Sequence, residues 1–112
     1  MNSSPCLEDC CAGLGRHLDP ELFQALCDPI RLNLVVRLAG AEALTVGEAT
    51  GCCNVHLSGV SRHLAILKRA GVVEAEKRGR EVYYRLRSAE LARSLRAIAA
   101  ALDASREALA HA

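Results

Sequence analysis

The chain has 112 residues, half of them apolar, and a formal net charge of +1. This length predicts one domain with a modest aliphatic core, since only Phe23, Tyr83 and Tyr84 are aromatic. No apolar run approaches the roughly 20 residues of a membrane span, and the N-terminus lacks the basic start and apolar stretch of a signal peptide. We therefore expect a cytoplasmic protein with no membrane partner. In that compartment, six cysteines favour metal or redox chemistry over a disulfide scaffold.

The N-terminal residues and the rest of the chain differ in composition. Residues 1–18 combine Pro5, two glycines and three cysteines, which predicts a flexible, cysteine-bearing arm. Residues 19–112 carry the periodic apolar patterns of a folded domain.

Two Asp-Pro pairs predict the starts of the first two helices. Asp19-Pro20 and Asp28-Pro29 each place a capping carboxylate before a proline in the first turn, and Gly40 ends the second helix. The apolar residues expected to face the core are Leu22, Phe23, Leu26, Ile30, Leu32, Leu34, Val35 and Leu38.

The middle of the chain predicts a helix-turn-helix. Thr45 and Glu48 fit a capping box, so a third helix begins there and extends to about Cys53, with Asn54 in the turn. A fourth helix follows, which Gly71 ends, and its apolar stripe is Val60, Leu64 and Leu67. Two helices joined by such a short turn are typical of the helix-turn-helix motif.

A change of period then predicts a hairpin and a final helix. Residues 72–77 and 81–87 alternate as strands, with a turn at Arg78-Gly79. Ser88 caps the last helix, whose apolar stripe is Leu91, Leu95, Ile98, Leu102 and Leu109. The predicted fold class is therefore α+β and mostly helical: a winged helix-turn-helix of four helices, a β-hairpin wing and a C-terminal helix.

Positive charge is concentrated on the second helix of the predicted helix-turn-helix, which we call the recognition helix, and on the wing. Residues 62–87 hold eight basic and three acidic side chains, a net charge of +5, and no acidic residue lies between Glu48 and Glu74. Such a block predicts double-stranded DNA as the partner, although a solvated basic surface on a protein-binding module is the alternative. The candidate DNA contacts are His56, Ser58, Gly59, Ser61, Arg62, His63, Lys68, Lys77, Arg78 and Arg80.

Three segments carry a resemblance to the ArsR–SmtB family of winged-helix repressors. Over roughly residues 20–88, "FQALCDPIRLNLVVRL" resembles the family's opening helices, "SGVSRHLAILKRAGVV" its recognition helix, and "KRGREVYYRL" its wing. The resemblance implies a homodimer formed through the first and last helices, bound to an inverted-repeat operator and released by an inducer.

Two metal sites of that family are missing their ligands here. One family site uses Asp, His, His and Glu along the last helix. This chain has Asp103, Glu107 and His111 in that helix, but it has Ser105 at the position of the histidine that would pair with Asp103. Another family site uses a Cys-Val-Cys motif at the start of the third helix. The matching segment of this chain is Leu44-Thr45-Val46-Gly47, which has no thiol.

The cysteines offer a different ligand set. Cys6 and Cys10 resemble the N-terminal ligand pair of the family's cadmium and lead sensors, and Cys10-Cys11 resembles the double cysteine of some arsenic sensors. In such relatives the arm crosses to the partner's helix-turn-helix, where Cys52-Cys53 lies in this chain. For Cys27 we favour simple packing. For His17 and His56 a surface role, or a DNA contact by His56, is favoured over metal ligation.

These thiols predict a soft metal(loid) as the inducer. Three sulfurs suit arsenite, antimonite or mercury, and four suit cadmium, lead or zinc. Two adjacent-cysteine pairs favour As(III) or Hg(II).

Two other functions remain alternatives at this stage, and a third is not expected. A thiol redox switch would use the same cysteines on the same scaffold, and a DNA-binding protein with inert cysteines would use none of them. An enzyme is not expected, because the chain has no Cys-x-x-Cys, no phosphate-binding glycine loop and no paired carboxylates in a plausible pocket.

Overall fold

A computed structural model describes residues 14–51 and 56–111 of the chain. The helices are α1 (Pro20–Leu26), α2 (Pro29–Ala39), α3 (Val46–Thr50), α4 (Leu57–Arg69) and α5 (Ser88–Ala110), and the strands are β1 (Leu44–Thr45), β2 (Val73–Arg78) and β3 (Glu81–Leu86). Residues 14–17 are also helical, which differs from the arm predicted through residue 18. None of the helices in the described ranges has the length and apolar character that crossing a bilayer requires.

The chain divides into two compact units. One is Pro20–Ser88, and the other combines Met1–Asp19 with Ala89–Ala112. The first unit contains α1 to α4 and the whole sheet, and it is therefore the unit that carries the winged helix-turn-helix.

Side-chain caps set the starts of α2 and α3, as the sequence predicts. Asp28 caps α2, because its Oδ1 accepts hydrogen bonds from the amides of Ile30 and Arg31 at 2.8 and 3.1 Å. At α3, Thr45 and Glu48 form the predicted capping box, with the Glu48 carboxylate accepting from the Thr45 amide at 2.9 Å.

The core of this unit is aliphatic, and α2 and α4 contribute its largest fully buried side chains. It comprises Leu22, Ala25, Leu34, Leu38, Ala49, Val60, Leu64, Leu67, Val72 and Val73. Two predicted core residues are wrong: Phe23 and Leu32 are 41% and 46% exposed. Phe23 directly follows the buried Leu22, and Leu32 lies two positions from the buried Leu34. Each is therefore turned well away from the core face of its helix.

The sheet has three antiparallel strands in the order β1-β3-β2. β2 and β3 form the predicted hairpin, but its two-residue turn is Gly79-Arg80 rather than Arg78-Gly79, because Arg78 still pairs with Glu81. Gly79 has a φ of 66°, as a type II′ turn requires at its first central position. β1 is an addition to the predicted elements, and it pairs Leu44 and Thr45 with Tyr84 and Tyr83 of β3.

Candidate nucleic-acid interface

Helix α4 presents one face to the core and the opposite face to solvent. Val60, Leu64 and Leu67 are fully buried at helical spacing. Ser58, Ser61, Arg62 and Lys68 are exposed, and Gly59 is half-buried. The predicted contacts Ser58, Ser61 and Arg62 therefore lie together on the open side of the first turns. That is the part of a recognition helix that approaches the bases in the major groove.

His56 has a structural task that the sequence did not indicate. It is the N-cap of α4, and its Nδ1 accepts a hydrogen bond from the amide of Ser58 at 3.2 Å. The same nitrogen lies 3.0 Å from the hydroxyl of Ser58. The imidazole thus holds the start of the helix and orients Ser58, whose side chain remains exposed.

His63 is directed toward α2. It is half-buried, and its Nδ1 lies 3.1 Å from Nη1 of Arg31. The structure therefore separates His63 from the exposed group that contains Ser61 and Arg62. Sequence reasoning missed Arg31, because its partner lies 32 positions away and no local pattern identifies such a contact.

The end of α4 leads directly into the wing. Gly71 has a φ of 81°, its amide donates to the Lys68 carbonyl at 3.0 Å, and the Val72 amide donates to the Leu67 carbonyl at 2.9 Å. This pair of bonds is a Schellman motif, which needs the left-handed conformation that glycine adopts readily. The predicted helix end at Gly71 is confirmed, and the motif fixes the direction in which β2 leaves α4.

The three candidate residues of the wing differ in their surroundings. Lys77 and Arg80 are exposed near the turn. Arg78 forms an ion pair with Glu76 at 2.8 Å, and its Cζ lies 4.8 Å from the ring centroid of Tyr83. Glu76 and Tyr83 are opposite each other in the strand register, which explains why one guanidinium meets both.

A second ion pair lies on the same outer face of the sheet, between Arg85 and Glu74. The carboxylate of Glu74 raises the pKa of Arg85 above its ordinary value. Glu42, Glu74, Glu76, Arg78, Tyr83 and Arg85 line an open groove there, and its charges are of both signs. The basic character of the wing is therefore greatest at Lys77 and Arg80, at its tip.

The five predicted metal ligands, Cys6, Cys10, Cys11, Cys52 and Cys53, lie outside the described residues, as does Asn54. Within residues 14–51 and 56–111, no three His, Cys, Asp or Glu side chains form a group that could hold a metal ion. Cys27, for which the sequence favours simple packing, is exposed. It follows the last turn of α1 and lines a groove with Arg31, Ile66 and Arg69.

Comparison with known proteins places this architecture in a family. Residues 26–76 match the model of a helix-turn-helix domain. Over 72 residues, the chain is 44% identical to the transcriptional repressor SmtB of Mycobacterium tuberculosis, a match that covers 64% of this chain and 53% of that protein. It is 35% identical over 66 residues to the arsenical resistance operon repressor of Escherichia coli, covering 59% and 56% of the two chains. The chain thus spans about half the length of these relatives.

Other relatives are matched over more of their length. The repressor SdpR of Bacillus subtilis is 32% identical over 74 residues, which cover 66% of this chain and 81% of that protein. An ArsR-like transcriptional regulator from Rhodococcus superimposes with a TM-score of 0.73 at 28% identity, covering 89% of each chain. The cadmium sensor CmtR of Mycobacterium tuberculosis superimposes with a TM-score of 0.54 at 36% identity, covering 67% of this chain and 77% of that one.

The predicted fold and the resemblance are both confirmed by these matches. Members of this group are DNA-binding repressors and not enzymes. The chain belongs to the ArsR–SmtB family of winged helix-turn-helix transcriptional repressors.

Proposed function

We propose that the chain acts as a homodimeric repressor that binds an inverted-repeat operator and is released by a thiophilic metal(loid). The observation that carries the DNA-binding part is the exposed group Ser58, Ser61 and Arg62 on α4, opposite the buried stripe of the same helix. Small hydroxyl side chains allow close approach to DNA, and the guanidinium of Arg62 has the geometry to contact a guanine edge with two hydrogen bonds. Gly59 lies between them and adds no side chain to obstruct that approach.

The basic side chains around this group supply contacts to the DNA backbone. Lys68 lies farther along α4, and Lys77 and Arg80 lie at the wing tip, all three exposed. Charges at the edges of a reading surface bind phosphates irrespective of sequence. They also make affinity depend steeply on salt concentration, since bound phosphates release counterions.

Substitution of Arg62 tests the reading surface. Arg62→Ala should weaken operator binding by about 1–3 kcal/mol and relax the sequence preference at one position, because it removes the proposed contact with a base edge. The measurement is fluorescence anisotropy with the operator and with single-base variants, over a series of salt concentrations.

Arg37→Ala is the matched control, because it removes the same charge from an exposed residue of α2 whose guanidinium donates to the Glu48 carbonyl. It should leave sequence preference unchanged. Equal effects of the two substitutions, or affinity that does not depend on salt, would contradict the assignment of α4 as the recognition helix.

The inducer part of the proposal rests on the chemistry of the cysteines. Thiolates in excess of imidazoles select soft ions, and relatives of this chain include a repressor named for arsenical resistance and a sensor named for cadmium. We assign Cys10, Cys11, Cys52 and Cys53 as ligands, with Cys6 as a further candidate. In this arrangement the arm of one subunit and the helix-turn-helix of its partner bind one ion. As(III) or Hg(II) is favoured, with Cd(II), Pb(II), Sb(III) and Zn(II) as the other members of the panel.

Operator release with this panel, under reductant, tests the inducer. Cys→Ser variants at Cys10, Cys11 or the Cys52-Cys53 pair should still bind DNA but should no longer release it. Cys27→Ser is the control, because Cys27 is exposed and lies outside the proposed ligand set. Release by oxidant without any metal effect would favour a thiol redox switch instead.

A mixed dimer tests whether the site crosses the subunits. One subunit lacks the arm cysteines and the other lacks Cys52 and Cys53, so that one complete cross-subunit site remains. It should bind one ion per dimer. A mixed dimer that binds no ion, or a Cys52-Cys53 double variant that responds like the wild type, would rule the shared site out.

A further inference from the structure

A single guanidinium joins three elements of the first unit. Nε of Arg31 donates to the Ala25 carbonyl at 2.7 Å, and Nη2 donates to the Gln24 carbonyl at 3.0 Å. Nη1 lies 3.1 Å from Nδ1 of His63 and 4.0 Å from the Asp28 carboxylate. The last turn of α1, the N-cap of α2 and the middle of α4 therefore meet at one side chain.

The arrangement uses the full donor geometry of the guanidinium. Gln24 and Ala25 lie in the last turn of α1, where the helix dipole favours a cation. The Gln24 carbonyl also accepts a hydrogen bond from the Cys27 amide at 3.2 Å. The Arg31 side chain is only 13% exposed, and its contacts with Ala25 and His63 are partly buried, whereas the contact with Gln24 is exposed. A lysine would supply one compact ammonium group and could not reproduce the fork.

The chemistry of the contact determines the form of His63. A guanidinium has only donors, so Nδ1 of His63 must accept the hydrogen bond from Arg31. An imidazole that accepts at Nδ1 is neutral and carries its proton on Nε2.

We propose that Arg31 is a positioning residue for the recognition helix: it holds His63 as the Nε2–H tautomer and thereby sets the rotation of α4 about its axis. The proposal deepens the DNA-binding function described above and, as far as it concerns the operator, rests on it. The buried stripe of Val60, Leu64 and Leu67 holds α4 against the core, but apolar packing has no direction. The hydrogen bond from Arg31 is directional and limits rotation of the helix.

Such a restraint affects sequence reading because of where His63 lies. It directly follows Arg62 and comes two positions after Ser61, so a small rotation at His63 displaces both exposed side chains. Recognition of base edges needs functional groups held within about 0.5 Å and 10–20° of the productive geometry. Phosphate contacts carry no sequence information, so their displacement does not change the preference for one sequence over another. Loss of the restraint should therefore reduce discrimination between sequences more than it reduces general affinity.

The first test is the tautomer itself, measured by nitrogen-detected NMR on the free wild-type protein at neutral pH. We expect the resonances of an imidazole protonated on Nε2, and a shift toward a tautomer mixture in Arg31→Lys. Protonation of Nδ1 in the wild type would overturn the proposal. This measurement uses no DNA, so it stands whether or not the proposed function is correct.

The second test uses two substitutions of similar polarity. The amide oxygen of an asparagine can take the place of Nδ1, whereas the longer glutamine takes that of Nε2. His63→Asn should therefore keep the ratio of operator binding to nonspecific binding within about two-fold of the wild type. His63→Gln and Arg31→Lys should lower that ratio by about ten-fold, as expected for loss of a hydrogen bond to a charged group. The dependence of nonspecific binding on salt should stay the same in all of them.

Thermal unfolding of each variant separates positioning from folding. Equal ratios for His63→Asn and His63→Gln at matched stability would overturn the positioning role. A wild type that binds no DNA at any salt concentration would instead contradict the proposed function. The NMR measurement of the tautomer would then still test whether Arg31 donates a hydrogen bond to His63.

Discussion

Arg78 illustrates how neighbouring side chains modify the DNA-binding capacity of a residue. Its guanidinium is held by the carboxylate of Glu76 and lies over the ring of Tyr83, so a phosphate must compete with an internal partner. Sequence reasoning grouped Arg78 with Lys77 and Arg80 because all three are basic and close to the turn. Charge composition cannot show which of them is already paired, because pairing depends on strand register.

We predict that Glu76→Gln strengthens binding to DNA of any sequence, by up to about five-fold at low salt, because an exposed ion pair of this kind contributes little and one competitor is removed. The control is Glu81→Gln, which makes the same charge change at an exposed residue for which no ion pair with Arg78 is seen. Anisotropy titrations with operator and unrelated DNA provide the measurement. An equal gain in the two variants would show that net charge, and not release of Arg78, is responsible.

His63 and Cys27 mark the limit of local patterns at single residues. His63 follows Arg62, the residue proposed to contact a base, and this position suggested a DNA contact. The structure turns His63 toward Arg31 because helical geometry places it beside the half-buried positions of α4. For Cys27 the sequence favours simple packing, but the residue lies exposed just after α1 has ended.

At the scale of elements, the parts that follow from local chemistry were predictable. The Asp28 cap, the capping box at Thr45 and the glycine end of α4 each depend on residues within a few positions of one another. Strand β1 was not predictable in this way, because two residues have no period and their partners in β3 lie about forty positions away. The cysteine site likewise depends on segments far apart in sequence, and it remains a prediction.

The cap of α2 makes stability depend on pH. The amide of Arg31 and then that of Ile30 lower the pKa of the Asp28 carboxyl below its ordinary value of 3.8, although partial burial acts against them. A carboxyl with a depressed pKa in the folded state stabilises the fold above its unfolded pKa, and this stabilisation is lost as the pH falls through the folded value. The relevant window therefore lies below about pH 4.

We predict that the wild type loses more thermal stability than Asp28→Asn when the pH is lowered from 5 to 3. Asparagine caps helices about as well as aspartate, but it does not titrate. Asp28→Ala should be less stable than both at neutral pH, since it removes the cap. Melting curves across this pH range provide the measurement. Parallel pH dependence in the wild type and Asp28→Asn would show that other carboxyls dominate acid unfolding.

At the scale of the whole molecule, α5 presents an apolar surface that stays exposed among residues 14–51 and 56–111. Leu95, Leu102 and Leu109 recur at intervals of seven residues and are 46%, 52% and 64% exposed, whereas Ile98 is buried. A seven-residue apolar repeat is typical of a helix that pairs with another helix. This stripe supports the proposed dimer and explains why so much leucine is exposed.

We predict that Leu102→Glu raises the dimer dissociation constant at least about ten-fold, because it places a charge where the proposed interface would bury an exposed leucine. Ala100→Glu is the control, since it places the same charge on an exposed residue of α5 away from the stripe. Analytical ultracentrifugation at micromolar concentration measures the association. A monomeric wild type, or dimers of equal strength in both variants, would remove α5 from the interface.

Strand β1 has a further consequence for how this fold can change. Thr45 pairs with Tyr83 in the sheet and also caps α3 with its side chain, so one residue belongs to both the wing sheet and the helix-turn-helix. The wing and the helix-turn-helix are therefore not modules that can be exchanged independently. A wing transplanted from a relative would keep its sheet only if it also supplied a compatible partner for residues 44 and 45. Variation among relatives should consequently be easiest at the hairpin tip, beyond the paired residues, where a new length or charge leaves that shared residue in place.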